Sequence, residues 1–158
     1  MPDSTMLQSK DLQERYERYK AKIKNFTIMN DIFMRNVLKK KKCTEYILQV
    51  IMEDKGITVI DQTLQKDYKN LQGRSAILDC VAKDTNNRQF NVEIQGDNEG
   101  ASPKRARYHC GLLDMNILNP GESFDALPDT YVIFITRNDI LGFHLPIYHI
   151  DKEVIETK

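Results

Sequence analysis

The sequence predicts an α/β (α+β) domain in which helices flank a central sheet of about four to five strands. Three observations carry that expectation. Ala76–Lys83 and Gln89–Gln95 read as two strands joined by the turn-forming run Asp84-Thr-Asn-Asn87. Tyr131-Val-Ile-Phe-Ile-Thr136 is continuously apolar and β-branched, as expected of a strand covered on both faces. Around these lie segments whose apolar residues recur every three or four positions, the spacing of amphipathic helices.

Residues 1–10 read as a flexible N-terminus, and 11–158 as one domain. From Asp11, the residues Leu12, Tyr16, Tyr19, Ile23 and Phe26 form a narrow helical stripe on a charged background. It suits packing within the same chain or, alternatively, pairing in a homodimer. Asn30 or Asp31 caps a second helix carrying Phe33, Met34, Val37 and Leu38. Lys39–Lys42 is a solvated face or a phosphate-tracking patch. Thr44–Met52 reads as a third helix, ended before Gly56, with Glu45 in a first turn that favours an acid. Ile57–Ile60 reads as a short strand, and the polar segment Asp61–Gly73 as a loop leading back to the hairpin.

After the hairpin, Gly96–Ser102 reads as a flexible loop. Ser102 and Pro103 then suit the cap and first turn of a helix with Ala106, Cys110, Leu113 and Ile117 on its buried side. Lys104, Arg105, Arg107 and Tyr108 cluster at its N-terminal end, either as a phosphate site or as a soluble face. His109, His144 and His149 lack metal-ligand spacing and read as structural or solvent-facing. Asn119-Pro-Gly121 ends that helix, and Leu145–Ile150 reads as a last, edge strand because of Pro146.

Length and composition set the limits. The chain has 158 residues, enough to bury roughly 70% of its unfolded surface. Formal net charge is zero, so nucleic-acid contact has to come from a local patch, which argues against a tight non-specific coat. Cys43, Cys80 and Cys110 are odd in number and far apart, fitting thiols in a reducing compartment better than a disulfide frame or a zinc site. No apolar run approaches a membrane span and no signal-peptide pattern opens the chain, so a cytoplasmic location is expected.

The informative anomaly is acidic. Asp79 stands between Leu78 and Cys80, and Glu93 between Val92 and Ile94. Side chains alternate along a strand, so Asn91, Glu93 and Gln95 share one face. If residue numbers paired across the hairpin sum to an even value, Asp79 faces Glu93 or Gln95; a slip of one separates the acids. Two adjacent carboxylates in apolar surroundings repel and need a cation, for which a hard divalent metal is suited. The alternative is a solvated sheet face that binds nothing.

Asp79, the hairpin and Glu93-Ile94-Gln95 together resemble the PD-(D/E)XK nuclease superfamily, and more closely its branch of recombination-promoting nucleases and transposases, where Gln often replaces the usual Lys. The likeness extends to Asn30–Leu38, Pro103–Tyr108, Leu118–Glu122 and Tyr131–Ile135. It implies a restriction-endonuclease-like core with a mixed sheet, and a metal-dependent endonuclease acting on DNA in recombination or transposition. Asp79, Glu93 and the Ile94 carbonyl would hold Mg²⁺, with Mn²⁺ as substitute, and Gln95 would orient the attacking water. Glu45 is implied as a third acid, beside the simpler reading given above. Gln72-Gly73-Arg74 fits the approach to the first catalytic strand, and Leu78 replaces the Pro of the superfamily's name. Family members usually run on past the equivalent of Lys158, so a truncated chain or a short relative is expected. A catalytically inactive nuclease fold, binding DNA or protein, is the alternative function.

Overall fold

The computed structural model describes residues 4–69, 73–96 and 100–157. Helix α1 spans Ser4–Ile23, α2 Asp31–Leu38 and α3 Lys41–Ile51. Strands β1 (Val59–Tyr68), β2 (Ala76–Asp84) and β3 (Gln89–Gln95) follow, then α4 (Pro103–Met115) and β4 (Thr130–Thr136). The four strands form one mixed sheet in the order β1-β2-β3-β4. β2 is antiparallel to both β1 and β3, while β4 runs parallel to β3. A parallel neighbour needs a crossover, and α4 lies between β3 and β4 in the chain to supply it. This is a restriction-endonuclease-like core.

Local chemistry places the elements. Asn30 accepts from Phe33 N at 2.9 Å and starts α2, and Ser102 accepts from Arg105 N at 3.2 Å and starts α4, with Pro103 in its first turn. The β2–β3 turn is built on Asp84, whose Oδ1 accepts from Asn86 N and Arg88 N at 3.0 and 2.8 Å. Asn87 takes the left-handed conformation there, with φ 67°, which Asn tolerates better than most residues.

The sheet is covered on both faces. On one, Met34, Leu38 and Leu48 from α2 and α3 pack with Cys80, Ala82, Phe90 and Val92. On the other, Leu112 and Leu113 of α4 pack with Tyr68, Leu78 and Val81, and Val132 lies against them. Even-numbered β2 positions divide between the two clusters: Cys80 and Ala82 belong to the first, Leu78 to the second. The break coincides with Gln65 of β1, which has φ 50° and lies between the pairs Leu64↔Cys80 and Lys66↔Leu78.

Several expectations need correction. Asp61–Gly73 is mostly strand, not loop, since β1 continues to Tyr68. An outer strand takes its ladder from its neighbour and needs few apolar anchors, here Leu64 and Tyr68. The last strand expected over Leu145–Ile150 does not form. Asp139 organises that stretch instead, accepting from Leu141 N, Gly142 N, His144 N and the Tyr148 hydroxyl at 3.1, 2.8, 2.7 and 2.7 Å. These bonds hold its carboxyl below the usual range. The buried side of α4 is His109, Leu112 and Leu113; of the expected stripe, Ala106, Cys110 and Ile117 are only half-buried.

Most of the Leu12-to-Phe26 stripe lies exposed rather than packed within the chain: Leu12 and Tyr16 keep 63% and 64% of their surface, while the Phe26 ring lies 6.1 Å from that of Phe33 in α2. Helix α1 reaches back to Ser4, into the stretch expected to be flexible, and residues 1–3 lie outside the described residues. Gln72 of the expected strand approach and positions 97–99 of the expected loop also lie outside them. Cys43, Cys80 and Cys110 are free thiols, Cys80 buried and the others half-buried. Among the described residues no helix is long and apolar enough to cross a membrane.

Candidate active site

Strand pairing brings the two acids together. Cys80↔Val92 and Val81↔Asn91 are partners, so paired numbers sum to an even value and Asp79 comes opposite Glu93. Each carboxylate bonds to the other's strand: Glu93 Oε1 accepts from Asp79 N and Asp79 Oδ2 from Ile94 N, both at 3.1 Å. The oxygens therefore converge on the same step of the β2–β3 ladder, where it opens beyond Cys80↔Val92.

Glu93 is 1% exposed and Asp79 half-buried. Burial, and then the negative charge of Asp79, push the Glu93 carboxyl up to about 7, against the pull of the Asp79 N–H and of Arg105. Both raising effects penalise the ionised form. A divalent cation would reverse both at once, because carboxylate oxygens are the donors such ions prefer. The residues present therefore fit a metal held by two acids.

Helix α4 covers the pair. Arg105 reaches Glu93 Oε2 with Nη2 at 3.7 Å, and His109 Nδ1 lies 3.8 Å from Glu93 Oε1. Arg105 Nε donates to His109 Nε2 at 3.3 Å. A guanidinium only donates, so Nε2 is the accepting nitrogen and the ring's single proton sits on Nδ1. The Asn91 amide meets Nδ1 at 3.2 Å through Nδ2, and Asn91 Oδ1 is buried with no partner among the described residues. The Asn91 side chain also hydrogen-bonds the Glu93 carboxyl and pulls its pKa down. His109 is 2% exposed; burial, and then the Arg105 charge, lower its pKa to about 4. The ring is thus neutral at ordinary pH.

Gln95 follows on the same strand, its amide folded over Gly100. A Cβ at Gly100 would lie 1.9 Å from Gln95 Oε1 and 3.0 Å from Arg105 Nη1. A larger residue there would push the ends of both side chains aside.

The other expected residues lie as follows. Glu45 does not join the pair: its Oε2 accepts from Val59 N at 2.9 Å, where β1 begins opposite Asp84. That is five residues of strand from Asp79, about 17 Å away along β2. Among the described residues no group of three or more His, Cys, Asp or Glu side chains is placed to hold a metal ion. Lys104 and Arg107 are exposed beside Arg105, and the Tyr108 hydroxyl donates to Arg74 O. The reading of the sequence passed over His109 and Asn91 as site residues. The available signal was that His109 follows Arg105 by four positions, which puts both on one side of α4.

No curated protein and no solved structure matches the chain. The profile of the PD-(D/E)XK nuclease family transposase matches residues 33–157, which include β1–β4, both acids and all of α4. The chain belongs to the PD-(D/E)XK nuclease family transposases, nuclease-fold proteins linked to transposition.

Proposed function

We propose that Asp79 and Glu93 form the centre of a divalent-metal-dependent endonuclease that hydrolyses DNA phosphodiesters in recombination or transposition. The observation that carries this is the convergence of two carboxylates, one of them 1% exposed, with a charge that the fold does not fully compensate. Asp79, Glu93 and the Ile94 carbonyl would hold Mg²⁺, with Mn²⁺ as substitute. Bound there, the ion supplies Lewis-acid polarisation of a phosphate oxygen and eases deprotonation of water.

The protein's own groups do the rest. Asp79 and Glu93 are positioned by backbone bonds and need no reorganisation when DNA arrives. Gln95 orients the attacking water by hydrogen bonding; its amide does not titrate near neutral pH and so is no general base. Lys104 and Arg107, at the exposed start of α4, contact backbone phosphates and set the duplex on the site, while the Tyr108 hydroxyl proton stays on Arg74 O. Glu45 anchors β1 in this reading and takes no part in hydrolysis. The three free thiols suit a reducing, cytoplasmic setting.

The test is incubation of supercoiled plasmid with the protein across a Mg²⁺ and Mn²⁺ titration. Nicked and linear products that disappear with EDTA are expected. A second reading, a catalytically silent DNA-binding module, draws on the lack of a third acid at the pair among the described residues. It requires DNA binding that survives both EDTA and replacement of Asp79 and Glu93.

A further inference from the structure

A phosphate brought to the acid pair needs a positive charge beside it, and Arg105 Nη2 lies 3.7 Å from Glu93 Oε2. We propose that Arg105 supplies that charge, as a fixed guanidinium that contacts the scissile phosphate beside the acid pair. The inference rests on the reading of Asp79 and Glu93 as the metal-holding acids.

Four contacts immobilise this side chain. Nη1 donates to Gly100 O at 3.0 Å, Nε donates to His109 Nε2 at 3.3 Å, and Nη2 approaches Glu93 Oε2 at 3.7 Å. The guanidinium carbon lies 5.7 Å from the centre of the Phe134 ring. An arginine held this way loses little further freedom when it binds an anion. His109 is built to orient it: its ring is buried, and an accepting Nε2 fixes which way the guanidinium edge turns.

The remaining donors point to the use. A guanidinium has five N–H groups. Nε uses its one on His109 and Nη1 one of its two on Gly100. The 3.7 Å approach of Nη2 to Glu93 is longer than a hydrogen bond. Nη2 therefore keeps donors for a phosphate oxygen, and 38% of the side chain stays open to solvent. Lys104 and Arg107 are cationic too, but exposed, and the residues joining Arg105 to the pair, His109 and Gly100, do not hold them. A fixed cation at a developing charge acts on the transition state; a mobile one adds mainly to affinity.

The experiment compares the wild type with Arg105→Met, Arg105→Gln, Arg105→Lys and Lys104→Met. Three quantities are read: single-turnover cleavage of a short duplex at saturating protein and Mg²⁺, duplex affinity in Ca²⁺, and Mn²⁺ affinity without DNA. Arg105→Met and Arg105→Gln are expected to slow cleavage about 100-fold while duplex affinity changes little and Mn²⁺ affinity does not fall. Arg105→Lys should recover part of the rate, since charge returns without the planar fork. Lys104→Met should weaken duplex affinity, the quantity that the Arg105 variants change little. Arg105→Gln keeps polarity and covers a folding defect in the Met variant. Wild-type rates in both neutral variants would overturn the inference, as would a loss confined to duplex affinity or one restored by more metal. A wild type that cuts nothing at any metal concentration would instead overturn the nuclease reading beneath it.

Discussion

Asp84 and Glu93 are acids on the same hairpin, 0% and 1% exposed, and the fold treats them in opposite ways. Asp84 is fully compensated. It accepts two backbone N–H bonds and pairs with Arg88 Nε at 2.7 Å, and the same guanidinium reaches Asp54 at 2.9 Å. Its buried charge closes a turn. Glu93 has one backbone donor and the Asn91 side chain, a cation no nearer than 3.7 Å and a second acid beside it. Burial alone therefore does not mark a functional acid. The mark is burial whose electrostatic cost the protein leaves uncovered, as at sites meant to receive a cation.

The largest expected effect breaks the comparison at its functional end. Glu93→Ala should abolish Mg²⁺-dependent plasmid cleavage, a loss on the order of 10³-fold or more, whereas Asp84→Asn should leave the folded fraction active. Undiminished cleavage by the Glu93 variant would remove the site.

Stability should separate the same two residues with the opposite ranking. Asp84→Asn strands Arg88 near a buried amide and should cost on the order of 3 kcal/mol in urea unfolding. Glu93→Gln, in metal-free protein at pH 8, should raise stability, because it removes a charge the fold resists.

The pH dependence sharpens the contrast further. The Glu93 carboxyl, raised to about 7, contributes stability that is complete below its unfolded value and lost as pH rises through 7. The His109 ring, lowered to about 4, contributes stability that is complete above its unfolded value and lost as pH falls through 4. Over the interval between the two unfolded values these slopes oppose each other in the wild type. Melting curves in EDTA should therefore show Glu93→Gln losing stability on acidification and His109→Gln losing it on raising the pH from 5 to 8. Matching profiles for the two variants would contradict the assignment.

The smallest effect is expected at Gln95. Gln95→Lys should keep cleavage within about tenfold of wild type, since orientation of the water is altered while the acids stay in place. Complete loss would mean that the amide, and its packing over Gly100, does more than orient.

The acid pair was legible because side chains alternate along β3 and the hairpin left only the parity of its register open; the break of alternation in β2 between Leu78 and Cys80 was not legible. Helix α4 was less legible. Its apolar residues allow the phase of Ala106 and Cys110 as readily as that of Leu112 and Leu113, and the first phase hides His109. Strand β1 was the least legible, for Thr63, Gln65 and Lys66 show no apolar alternation and become strand only because β2 offers them a ladder. The Leu12-to-Phe26 stripe misled in the other direction. Its periodicity formed a helix, but periodicity does not name what covers the stripe.

The sequence by itself determined the hairpin, the helices and the presence of two acids within apolar runs, all of which follow from the spacing of neighbours along the chain. Only the tertiary structure decided that Arg105 and His109 lie over Glu93, that Glu45 serves Val59, and that Asp84 and Glu93 differ. Those outcomes depend on the desolvation and charge that a side chain meets from distant segments, and no local pattern encodes them.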